Sequence, residues 1–149
     1  MEEPTEYPEF RRSLGEPLPT TRKGWQFRWR GRDRLEIAWQ LETITEQLDG
    51  NESAVEREHQ IDRQNLRYHR AVLRAPFEVQ RALHTEQIDW THARELAHYG
   101  QDDHAIQHRW LTWLFEERER RGKIPQAAEL TKLFKQHHPR PKFDYQEAA

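Results

Sequence analysis

The chain has no cysteine, which excludes disulfide frameworks and thiolate metal sites. Serine is nearly missing too: only Ser13 and Ser53 occur, and neither stands in a nucleophile-like context. No glycine-rich phosphate loop is present. No carboxylate pair sits on an obviously apolar face that would raise a pKa for acid–base work. No apolar run reaches the ~18 residues of a membrane span, and the N-terminus carries no apolar signal segment. These absences lead us to expect a cytoplasmic protein that is not an enzyme, holds no cofactor or metal and has no membrane partner. His104 and His108 are four apart on a helix, a spacing that can ligate zinc. Their motif, His-Ala-Ile-Gln-His, lacks the glutamate of a zinc protease, so a surface histidine pair is the simpler reading even with Asp103 nearby. His137 and His138 lie in a polar tail and would bind metal only weakly.

What is present is charge and tryptophan. Of 149 residues, 34% are hydrophobic and 34% charged, so any core is modest. The length fits one domain with tails, or two very small ones. The six tryptophans offset the shortage, because each buries a large apolar area. The net charge of −2 conceals an uneven distribution. Five arginines but only two acids, Asp62 and Glu78, fall between Asp62 and Arg81, whereas the N-terminus carries Glu2, Glu3, Glu6 and Glu9. Such a balance opposes general coating of a polyanion and permits one local basic surface.

Residues 1–32 read as an extended arm. It holds Pro4, Pro8, Pro17 and Pro19 and little periodicity. Within it, Trp25, Phe27 and Trp29 alternate with polar residues between Gly24 and Gly31, the pattern of a short strand-like segment. From Asp33 the helical period dominates, and residues 33–136 read as an all-α, compact bundle of short helices. Ala38, Leu41, Ile44 and Leu48 form one helix face, stopped by Asp49-Gly50. Asp62, Pro76, Asp89, Asp102 or Asp103, and Pro125 are start signals for later helices, and Gly100 and Gly122 are stops. Trp110, Trp113, Leu114 and Phe115 read as core. Residues 137–149 read as a polar tail.

The stretch 61–83, IDRQNLRYHRAVLRAPFEVQRAL, carries the strongest pattern. Arg63, Arg67, Arg70 and Arg74 recur at steps of four, three and four, within about 60° of one another on a helix. Leu66, His69 and Leu73 lie on an adjacent face. Arginine grips phosphate oxygens in pairs, so this helix is suited to a polyanion. The plainer reading is a solvated face paired with Glu56, Glu58 and Glu78. Ser53–Leu73 reads as helix, tight turn, helix, with Val55 and Ile61 packing on Leu66. The second helix then opens with Arg63, Gln64 and Asn65, side chains able to form paired hydrogen bonds with base edges. A helix-turn-helix presents that part of its second helix to the major groove. Two departures are visible: Glu56 where a small residue is usual, and Gln60 where glycine is usual.

This stretch, with EQIDWTHARELA after it, resembles the DNA-binding region of the ParB/KorB family of partition proteins. The resemblance rests on Pro76, the pair Val79-Gln80, Ile88, and His92-Ala93-Arg94 with Leu96, and covers about residues 54–135. It implies a helix-turn-helix fold and duplex-DNA binding, with His92 in a packing role. The family's nucleotide-binding domain finds only a degenerate counterpart in Gly31-Arg32-Asp33-Arg34, so CTP binding is not expected.

Two functions follow. In the first, the chain binds duplex DNA, with Arg63, Gln64 and Asn65 at base edges and Arg67, Arg70 and Arg74 at phosphates. In the second, it is a helical interaction subunit of a larger assembly, without sequence-specific readout. A homodimer or a protein partner fits either reading. The aromatics Trp25, Phe27 and Trp29 are the candidate docking segment, the alternative being that they fold back on the chain's own helices.

Overall fold

A computed structural model describes residues 20–29, 34–100 and 103–139. Eight helices make up its regular structure: α1 (Arg22–Trp29), α2 (Arg34–Gln47), α3 (Glu52–His59), α4 (Arg63–Leu73), α5 (Phe77–His84), α6 (Trp90–Gly100), α7 (His104–Arg121) and α8 (Ala127–His137). No strand occurs among the described residues.

The strand-like reading of 25–29 is corrected, because these residues are the body of α1. Thr21 starts that helix. Its hydroxyl accepts from the Gly24 N–H at 3.0 Å, and its carbonyl from the Trp25 N–H at 3.1 Å. Over five residues, alternation and a four-residue helical step look alike, since Trp25 and Trp29 satisfy both.

The other starts and stops follow local chemistry. Asn51, Asp62 and Asp103 sit in extended conformation before α3, α4 and α7, each accepting a backbone N–H three residues on. That is the N-cap bond, worth ~1 kcal/mol. α4 ends at Leu73 because Pro76 disfavours helical backbone at Ala75. Its freed carbonyls at Leu73 and Ala75 accept from the buried Gln80 amide at 3.1 and 3.0 Å. The Val79-Gln80 pair therefore works as an anchor for α5 and a cap for α4. Gly122 ends α7 in left-handed conformation, φ 78°.

Two apolar clusters hold the molecule. One joins Trp25, Ile37, Leu41, Ile44, Val55, Ile61 and Leu66, from α1 to α4. The other gathers Leu35, Trp39, Val72 and the inner faces of α5 to α8, with Trp110, Leu111, Leu114, Leu130 and Phe134 at its far end. α2 and α4 contribute to both. On α4 the fully buried residue near the C-terminus is Val72, with Leu73 half-buried, a shift of one position from the face read in the sequence.

Gly100 is a close-approach glycine, since a Cβ there would lie 2.3 Å from Gln107 Cγ. α6 and α7 meet at that point.

Gln40 on α2 is 1% exposed, and both its amide atoms are buried without a hydrogen-bond partner among the described residues. An unmet buried amide costs roughly 1–3 kcal/mol. Gln40→Met, which keeps the length and removes both polar atoms, is expected to raise the urea midpoint by an equivalent of ~1–3 kcal/mol. A fall in the midpoint would show that the amide is satisfied in solution.

Candidate nucleic-acid interface

α3, the turn and α4 form the helix-turn-helix that the spacing suggested. Gln60 adopts left-handed backbone, φ 52° and ψ 39°, at the position where glycine is usual. The chain then runs through buried Ile61 to the cap Asp62. Val55, Ile61 and Leu66 are 0%, 3% and 0% exposed and pack in one cluster. They set the angle between the two helices, with α2 packed behind α4. Glu56, the other departure from the usual pattern, has a use here. Its carboxylate accepts the Arg63 backbone N–H at 3.1 Å and also lies beside the Arg63 side chain.

The arginine ridge divides into engaged and outward parts. Arg70 is held between α2 and α3: Nε donates to Glu42 at 2.8 Å and Nη1 to Glu52 at 3.2 Å. The Glu42 hydrogen bond raises its pKa, with further support from Glu52 outweighing partial burial. Arg63 turns back to α3, donating to Ser53 Oγ at 2.7 Å. Arg67 makes one ion pair, with Glu52 at 3.1 Å, and its side chain remains 63% exposed. A single exposed pair of this kind is worth ~0–1 kcal/mol and exchanges readily. Arg74 is exposed at the end of α4. Of the acids read in the sequence as partners, Glu56 does pair with the ridge. Glu42 and Glu52 pair with it as well.

The outward line of α4 is therefore Gln64, Arg67, Tyr68, Ala71 and Arg74. With Ala97 and His98 of α6, these residues line an open groove of about 420 Å³ that no carboxylate lines. Gln64 Nε2 donates to the Tyr68 hydroxyl at 3.1 Å, which orients the amide. The Tyr68 ring meets His98 edge-on at 5.4 Å and lies under the Arg94 guanidinium at 5.5 Å. Asn65 is half-buried, and its backbone carbonyl takes a bond from His69. Of the three proposed base-contact residues, Gln64 thus points outward, Asn65 partly so, and Arg63 is turned to α3. The Gln64–Tyr68 pair was legible as a four-residue helical step. His98 and Arg94 carried no such signal, because they come from another element.

Trp25 is corrected as a partner-docking residue. It is 1% exposed, packs with Val55, Ile61 and Leu66, and donates its indole N–H to the His59 carbonyl at 3.0 Å. Its work is intramolecular: it covers the last turn of α3. The side chains of Phe27 and Trp29 lie outside the described residues. In the other aromatic group, Trp110, Leu111 and Leu114 are buried, and Trp113 and Phe115 are partly buried against the same core.

Two histidines brace the platform. His69 is fully buried on α4, donates from Nδ1 to the Asn65 carbonyl at 2.7 Å and stacks on Trp90 at 4.2 Å. Its Nε2 faces Arg34 Nη1 at 3.5 Å. Burial pushes its pKa down to about 4; the Asn65 bond opposes that shift and the Arg34 charge adds to it. His92 donates from Nε2 to the Pro125 carbonyl at 2.7 Å and accepts the Asp89 N–H at Nδ1, 3.2 Å, tying α6 to the loop before α8. This is the packing role expected of it. His104 donates to the Arg74 carbonyl at 2.8 Å, and His138 accepts the Trp110 indole N–H at 2.9 Å, so the polar tail begins after contacts that hold α7. Among the described residues no group of three side chains could hold a metal ion.

Among the described residues no helix is long and apolar enough to cross a membrane. Comparison with family models, with curated proteins and with solved structures returns no match.

Proposed function

We propose that the chain is a duplex-DNA-binding module of the ParB/KorB kind, with α4 entering the major groove. One observation carries this reading: a helix-turn-helix whose second helix turns Gln64, Arg67, Tyr68 and Arg74 outward along a groove free of carboxylates. Guanidinium groups supply the sequence-independent attraction to phosphate, and an oriented amide supplies base-edge hydrogen bonds. In this reading Arg67 and Arg74 meet phosphates. Gln64, and Asn65 beside it, meet bases. Arg63 reaches a base only by giving up Ser53, and Arg70 keeps its two carboxylates and orders the three helices.

Binding to duplex DNA at about 50 and about 200 mM salt tests this. Arg67→Ala and Arg74→Ala should each weaken binding to every sequence and flatten the log–log salt slope by about 0.9. Gln64→Ala should leave the slope alone and reduce discrimination between sites by ~1–3 kcal/mol. If the unaltered chain does not bind duplex DNA, or if all three variants bind as it does, the proposal is wrong and the plain interaction subunit remains.

A further inference from the structure

α1 belongs to the helix-turn-helix as much as α3 does. Trp25 is sealed in the same cluster as Val55, Ile61 and Leu66, and its indole bond to the His59 carbonyl fixes α1 directly over the turn. Around Trp25 on α1, Arg22, Lys23 and Gln26 are exposed. Arg22 and Gln26 share an open groove of about 350 Å³ with Gln60, Asp62 and Asn65, at the N-terminal end of α4. Two carboxylates, Asp62 and Glu56, line grooves that Arg22 also lines. Each already accepts a backbone N–H, Asp62 that of Asn65 at 3.2 Å and Glu56 that of Arg63 at 3.1 Å. Among the described residues Arg22 makes no ion pair. A long cation thus stands beside the first turn of α4, on a helix that the fold holds in place, with no ion-pair partner among the described residues.

We infer that α1 is a second contact element for the same duplex, with Arg22 seated on a backbone phosphate beside the entry of α4 and Trp25 as its positioning residue. This rests on the DNA-binding reading above and adds a contact that the helix-turn-helix alone does not contain. The chemistry required is that of one charged phosphate oxygen pair. It makes no demand on base sequence, and a guanidinium bound bidentately is suited to it. The placement also gives α1 a reason to be pinned. An arm tethered loosely would lose conformational entropy on each binding event, whereas a docked helix has already lost it.

The test uses the full chain, a random-sequence duplex and a salt titration. Arg22→Ala should weaken binding and reduce the salt slope by about 0.9, so its deficit shrinks roughly threefold between about 50 and about 200 mM salt. Arg22→Lys should keep the slope. Trp25→Phe keeps an aromatic ring in the cluster but loses the bond to His59 and the fused pyrrole ring of the indole. It should reproduce the loss of slope with the helical signal intact, which a purely structural Trp25 would not do. Lys132→Ala, an exposed cation on α8, is the control for net charge and should have little effect. If the unaltered chain binds and Arg22→Ala behaves as Lys132→Ala does, the second contact is refuted and the α4 site stands. If the unaltered chain does not bind, both readings fall together.

Discussion

Leu66→Ala is expected to cost ~2–5 kcal/mol of folding stability, the range for a buried leucine cut to alanine. Leu66 is 0% exposed and packs with Trp25, Ile37, Leu41, Ile44, Val55 and Ile61, drawn from α1, α2, α3 and the turn. Four separate segments would have to move to collapse the void. The cost therefore belongs near the top of the range. Urea unfolding followed by far-ultraviolet circular dichroism measures it, with Leu73→Ala on the half-buried neighbour as the milder comparison. A loss under ~1 kcal/mol for Leu66→Ala would mean that the helix-turn-helix is held by its caps and ion pairs and not by this cluster.

Acid should weaken the fold well before the carboxylates titrate. His69 has its pKa pushed down from the ordinary 6.5 to about 4, principally by burial. Its neutral form is therefore favoured in the folded chain, and the unfolded chain takes up the proton first. The sign follows: stability falls as pH drops from about 6.5 toward about 4 and the His69 contribution levels off below that. Integrated over that window the loss is roughly 3 kcal/mol, from ~1.4 kcal/mol for each pH unit. Urea midpoints at a series of pH values across this window would show the slope, and His69→Gln should remove most of it. The Arg34 guanidinium facing Nε2 adds to the penalty for an imidazolium, and the stacked Trp90 ring covers one face of the imidazole. A stability profile that is flat across the window would place His69 in contact with solvent.

The parts of this fold that were legible in the sequence are those written in neighbouring residues. Asp62 followed by Arg63, with Leu66 and His69 turned one way, specifies a capped amphipathic helix. Val55, Gln60, Ile61 and Leu66 specify the turn, even though glutamine replaces glycine. The resemblance to a family motif pointed at Val79-Gln80, and the structure gives those residues a physical task in closing the end of α4. What stayed hidden lies in pairs remote in the chain. Glu42 stands 28 residues before Arg70, and no local period connects them. For that reason the arginine stripe read as one continuous ridge, when its third member is held inward by α2 and α3. Trp25 is a similar case: its partner is a backbone carbonyl 34 residues away, and main-chain acceptors have no sequence signature. The groove beside Tyr68 likewise needs α6 to be folded against α4 before His98 and Arg94 reach the ring.

α2 and α4 each feed both apolar clusters, so α4 cannot roll or slide without pulling Leu66 out of one and Val72 out of the other. Helices shared in this way behave as a single stiff strut and not as a finger on a hinge. Any ligand that meets the outer face of α4 meets side chains on a backbone already frozen, and the ordering penalty was met during folding. Tight fit and selectivity then depend on a handful of exposed rotamers alone. A change at the surface of α4 is thereby free to alter what is recognised without altering what is built.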